Sequence, residues 1–86
     1  MARYQLEVKE RAAKELSRLR PDIGRRLLQS IESLASDPRP KHSHKLSESE
    51  SSYRLRVGDD RVLYQVDDKA KLVTVFKIGH RREVYR

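Results

Sequence analysis

Tyr53-Arg54-Leu55-Arg56-Val57-Gly58-Asp59-Asp60-Arg61-Val62-Leu63-Tyr64 is the stretch whose reading decides the fold. Tyr53, Leu55 and Val57 alternate with Arg54 and Arg56, the two-residue period of a half-buried strand. Gly58-Asp59 reads as a two-residue hairpin loop, since glycine is favoured at the first central position of a type II′ turn. That loop sets a register: Val57 opposite Asp60, Arg56 opposite Arg61, Leu55 opposite Val62, and Tyr53 opposite Tyr64. The apolar side chains then share one face, so the register is self-consistent. The other face holds Arg56 directly against Arg61, with Arg54 one step along. Like charges directly opposite each other destabilise a strand pair. A small domain that keeps them is expected to use them on an anion. Phosphate fits, because guanidinium groups bind it by paired hydrogen bonds.

Downstream of the hairpin, whose second arm runs through Val66, Asp67-Asp68-Lys69-Ala70 reads as a turn. Residues 72–78 are apolar on both faces, through Leu72, Val73, Val75, Phe76 and Ile78, which predicts a central strand covered on both sides. Val84 and Tyr85 suggest a final short strand. Upstream, Tyr4, Leu6 and Val8 alternate with Arg3, Gln5 and Glu7 and predict a first strand. Residues 10–19 read as a helix with Ala12, Ala13, Leu16 and Leu19 on one face. Pro21 opens a second helix, whose stripe is Ile23, Leu27, Ile31 and Leu34, with Ala35 beside it. Asp37-Pro38 ends it, since proline pushes the preceding residue out of the helical region. Residues 38–52 show no periodicity and read as a long connection anchored by Leu46. This order predicts one α+β domain over 1–86: an N-terminal strand and an antiparallel helical hairpin packed on a mainly antiparallel four-stranded sheet.

Twenty Lys and Arg against thirteen Asp and Glu give a formal net charge of +7 over 86 residues. That excess favours a nucleic acid or an acidic protein as partner. Charged residues are 38% of the chain and hydrophobic ones 36%, so the apolar surplus is small, but its periodicity argues for a folded domain. There is no cysteine, which excludes disulfides, thiolate catalysis and Cys-based zinc sites. No apolar run approaches the ~20 residues that span a bilayer. The N-terminus shows no apolar signal segment, so no membrane and a cytoplasmic location are expected.

The chemistry-bearing residues fall in two groups. Arg54, Arg56 and Arg61 are the first; His80, Arg81, Arg82 and Tyr85 are the second. If the strand ending at Ile78 lies beside the hairpin, both meet at one end of one face as a candidate phosphate site. Arginines there would stabilise the charge that grows on a pentacoordinate phosphorane. His80 has the one side chain of the group that titrates near neutrality, with an ordinary pKa of about 6.5. Tyr85 is suited to stack on a base or to donate a proton. The bland alternative is a solvated arginine face with His80 in a turn. His42 and His44 lack a third ligand of suitable spacing, so both read as solvated loop residues and no metal is expected. Asp59-Asp60 and Asp67-Asp68 read as turn residues, and the serines near residue 50 have no base to activate them.

On these residues, together with Lys45-Leu46 and the run from Gly79 to Tyr85, the chain resembles the RelE family of bacterial and archaeal toxins, within the wider RelE/ParE superfamily. The resemblance covers essentially the whole length. It implies a toxin that enters the ribosomal A site and cleaves mRNA by attack of a ribose 2′-hydroxyl on the adjacent phosphate. The implied products are a 2′,3′-cyclic phosphate and a 5′-hydroxyl end, with no metal or other cofactor. The family's site maps onto Arg54, Arg56, Arg61, Arg81 and Tyr85, and Lys45, Arg82 and Arg86 are expected to contact RNA. Some members carry lysines at the first pair, one of them assigned as base. Both are arginine here and do not readily lose a proton. The arginines are therefore expected to stabilise the transition state, and His80 to transfer the proton. A cognate antitoxin with an acidic or amphipathic segment is the implied protein partner. Two other functions fit the same fold: a ParE-like inhibitor of DNA gyrase, and an inactive toxin fold kept as a partner-binding module.

Overall fold

Gly58 takes φ +61° at the tip of the hairpin, the left-handed conformation that glycine adopts without steric cost. The chain around it, in a computed structural model that describes residues 3–46 and 51–80, with His80 described by its backbone only, folds in the order β1 (Gln5–Val8), α1 (Glu10–Ser17), α2 (Pro21–Ser33), β2 (Ser43–Lys45), β3 (Ser52–Val57), β4 (Asp60–Asp67) and β5 (Leu72–His80). Val84 and Tyr85 lie outside the described residues.

The strands form one sheet in the order β1-β5-β4-β3-β2. β1 runs parallel to β5, and every other pairing is antiparallel. The four-stranded, mainly antiparallel expectation is therefore corrected to a five-stranded mixed sheet. The extra strand, β2, comes from the stretch read as an aperiodic connection. Its three residues are all polar and pair with β3 through the backbone, so they leave no apolar pattern to read. β4, not β5, is the middle strand.

β5 looked apolar on both faces for a specific reason. Its pairing with β4 slips by one residue: Tyr64 faces Val75, but Leu63 faces Lys77, leaving Phe76 as the extra residue of a bulge. Val73, Val75 and Ile78 all reach the same core despite their uneven spacing.

The core lies between the helices and one face of the sheet. Ala12, Leu27, Ile31 and Leu34 meet Leu55, Val62, Tyr64, Val66, Val73, Val75 and Ile78. Ala13, expected on the buried stripe of α1, is exposed. α1 stops at Ser17, two residues earlier than expected, and three residues lead to Pro21 at the first turn of α2. α2 ends at Ser33 in tightened i→i+3 bonds, Leu34 N–H to Ile31 O (3.0 Å) and Ala35 N–H to Glu32 O (3.1 Å), which keep Leu34 and Ala35 buried ahead of Pro38.

A clasp closes the end of the sheet where β3 begins. Arg39 donates to both carboxylate oxygens of Asp68 (2.8 and 3.3 Å) and to the Tyr53 hydroxyl (2.8 Å). Tyr4 donates its hydroxyl to Asp68, and the buried Tyr64 hydroxyl donates to Pro38 O at 2.8 Å. Tyr53 and Tyr64 stack with centroids 5.7 Å apart. Leu46 is half-buried, and its N–H bonds Ser52 O.

Candidate functional site

The β3–β4 register is the one the turn implied: Arg56 pairs with Arg61, Leu55 with Val62, and Arg54 with Leu63. Since alternate residues point to opposite faces, Arg54, Arg56 and Arg61 share the face turned away from the helices. β5 adds Gly79 opposite Arg61 and the backbone of His80 opposite Asp60. The backbone at position 80 thus reaches the hairpin end of the sheet, in the row of Asp60 and Val57 and one step from the row of Arg56 and Arg61. Arg81, Arg82, Tyr85 and Arg86 lie outside the described residues.

The three arginines differ in depth. Arg56 is exposed and its Nε donates to Gly58 O at 3.5 Å. Arg54 is half-buried. Arg61 is only 4% exposed, and its Nη1 donates to Asp60 O at 3.2 Å. At Arg61 the bland alternative of a solvated arginine does not hold: alternation fixes which face a side chain takes, not how deeply it is covered.

Lys45 lies opposite Tyr53, whose side chain belongs to the helical side, so the register separates it from the arginine face. His44, which the sequence reading left in a loop, lies opposite Arg54. One row therefore crosses the sheet from His44 through Arg54 and Leu63 to Lys77. Finding His44 from sequence would have required foreseeing β2. At the far end of that row, Lys77 lies 3.6 Å from Glu15 of α1. The other Glu15 oxygen accepts the Ile78 N–H at 2.8 Å. This caps β5 beyond Val75, where its pairing with β1 ends.

A groove of about 800 Å³ lies elsewhere, on the helical side, between Leu19, Ile23 and Arg26 of the helical hairpin and Val57 and Ile78 of the sheet. It does not include the arginine row. Among the described residues, no three His, Asp or Glu side chains converge as a metal site, and no helix is long and apolar enough to cross a membrane.

Residues 6–85 match the family model described as the ParE toxin of the type II toxin-antitoxin system parDE. The chain belongs to the RelE/ParE superfamily of toxins. It is 30% identical to RelE1 of Methanocaldococcus jannaschii, over 98% of this chain and 97% of that one. It also resembles the archaeal RelE of the RelE–RelB complex from Pyrococcus horikoshii, at 30% identity and TM-score 0.82, over 94% and 97% of the two chains. The isolated E. coli RelE toxin superposes with TM-score 0.79 at 30% identity, over 95% and 90%. These likenesses span the helical hairpin, the sheet and the arginine face together, and make this a RelE-like toxin of a type II toxin-antitoxin system.

Proposed function

We propose that the chain is a ribosome-dependent mRNA endonuclease acting in the A site. The observation that carries this reading is the direct pairing of Arg56 with Arg61, with Arg54 on the same face and the Gly79–His80 end of β5 alongside. In the proposed reaction the ribose 2′-oxygen attacks the adjacent phosphorus and the 5′-oxygen leaves. The strand then ends in a 2′,3′-cyclic phosphate and a new 5′-hydroxyl. Arg54, Arg56, Arg61 and Arg81 stabilise the pentacoordinate phosphate, a role that needs charge and position but no proton transfer. His80 transfers the proton, Tyr85 stacks on a base or protonates the leaving oxygen, and Arg82 and Arg86 add RNA contacts, whereas Lys45, on the opposite face, is left out of the track. No metal ion takes part in this scheme, and the protein acts in the cytoplasm, where translation occurs.

The scheme rests mainly on charge stabilisers, so the ribosome is assigned the task of orienting the RNA. Purified protein is expected to cut mRNA on programmed ribosomes far faster than the same mRNA free in solution. Equal rates would overturn the ribosome dependence. The proton role of His80 is read from His80→Ala, which should slow cleavage and flatten its pH profile near neutrality. A slower variant with an unchanged profile would leave His80 only a positioning role.

The partner proposed is a cognate antitoxin, in keeping with solved RelE complexes that hold RelB. Its acidic or amphipathic segment would cover the basic surface of a chain with net charge +7. The ParE description of the matching family model favours a second reading, inhibition of DNA gyrase. Mapping transcript ends after induction separates the two: cut messages support the nuclease, whereas DNA damage with intact messages supports the gyrase poison.

A further inference from the structure

We propose that His44 is an RNA-contacting residue of the arginine face, one whose protonation tightens its hold on a phosphate. This rests on the proposed nuclease reading, and extends the substrate track from β3 across the edge strand β2. His44 and Arg54 are direct cross-strand partners, which places their Cβ atoms about 4.5–5.5 Å apart. That spacing suits one phosphate held between an imidazolium and a guanidinium. Arg56, two residues along β3, takes the next position on the same face. β2 is the last strand of the sheet and His44 is exposed, so a ligand reaches it from the face and from the open edge.

Among the described residues that pair with β2 or flank His44, the charged side chains are cationic. β3 pairs with β2 through Leu55, Arg54 and Tyr53, with Arg56 beyond, and the flanking residues are His42 and Lys45. None of the described residues pairing with β2 is a carboxylate. A protonated histidine there has cations for neighbours and gains most when an anion arrives. Histidine is the side chain that makes such a contact switchable near neutrality. RNA binding should therefore take up a proton at His44, and a fall in pH should strengthen binding before any chemistry occurs.

The test separates binding from cleavage. Full-length protein is titrated with a 2′-O-methyl RNA oligonucleotide, which cannot supply the attacking 2′-hydroxyl, at pH 5.5 and pH 8 and constant salt. Wild type should bind about fivefold or more tightly at the lower pH, the scale of one added charge-assisted contact. His44→Gln should lose most of that gain while nearly matching wild type at pH 8, and His42→Gln should keep it. At pH 5.5 the His44→Gln variant should also lose about 0.7 from the salt slope, the share of one phosphate contact in single-stranded RNA. Circular dichroism controls for the fold, which an exposed edge position leaves intact. The full pH dependence persisting in His44→Gln would overturn the assignment, as would absence of RNA binding by wild type. So would a His44-dependent pH effect seen with poly-glutamate but not with RNA. The His44-dependent gain on methylated RNA together with uncut messages on ribosomes would leave the phosphate contact standing and sink the nuclease reading alone.

Discussion

Arginine does opposite work at the two ends of this sheet. At the clasp, Arg39 faces the Asp68 carboxylate, bonds the Tyr53 hydroxyl and lies 5.3 Å from the centre of that ring. Its guanidinium is held charged by Asp68, and it in turn holds the Asp68 carboxyl below the usual range, with the Tyr4 hydroxyl helping. At the hairpin end, Arg56 is set against another arginine, Arg61, across the ladder. One arrangement lowers the energy of the folded chain by itself. The other sets like charges directly opposite each other, which taken alone disfavours a strand pair. The same side chain thus serves the fold where a carboxylate meets it, and is proposed to serve a ligand where a like charge does.

The strongest challenge to this contrast is Arg61→Ala. Losing a preorganised charge stabiliser typically costs ~10²-fold or more in rate, so cleavage on programmed ribosomes should fall by about that much in single-turnover assays. Because Arg61 is buried, its melting temperature should fall as well. A variant with wild-type cleavage would remove Arg61 from the site. Next in size is Tyr64→Phe at the clasp. It strips the buried donor from Pro38 O and should cost about 1–3 kcal/mol in urea unfolding, with cleavage per folded molecule unchanged. A loss of cleavage there would mean that the two ends are coupled.

Arg56→Thr sharpens the comparison from the other side. Removing one of two facing cations should stabilise the fold by about 0.2–1 kcal/mol while lowering cleavage. A destabilised variant would show that the pair is not under electrostatic strain. The smallest effect belongs to Asp68→Asn. The Asp68 carboxyl is depressed in the folded state by Arg39 and then Tyr4. Its contribution is therefore complete above the unfolded value of about 3.9 and is lost as pH falls through the lower folded value. Melting curves between pH 6 and pH 2, values that bracket this window, should show wild type losing that increment and the variant lacking it throughout. The carboxylate is exposed, so the difference should be small.

The hairpin was readable in the sequence because two independent signals agreed. The Gly58-Asp59 turn and the alternation on both arms allow only one register. The helices were readable from their stripes, although Ala13 shows that a small apolar residue beside a stripe need not be buried. β2 was hidden because Ser43, His44 and Lys45 are recruited by the unpaired edge of β3 and not by any apolar pattern of their own. Hidden with it were the placing of His44 on the arginine face and of Lys45 off it. The parallel pairing of β1 with β5 joins residues more than sixty positions apart and leaves no local mark. The depth of Arg61 depends on what lies over the sheet, about which a strand's own period says nothing.

The bulge in β5 has a bearing on which changes in length this chain can absorb. Nine residues of β5 run against eight of β4, so one is surplus to the ladder. Loss of Phe76 would leave Val73, Val75 and Ile78 turned toward the helices and Gly79 still across from Arg61. Loss of Thr74, a conservative-looking deletion in the same strand, would turn Val73 and Val75 to opposite sides. Tolerance of deletion in β5 should therefore be confined to the bulge at Phe76 and Lys77, and the spacing between the core and the arginine face can lose a residue there without being rewritten.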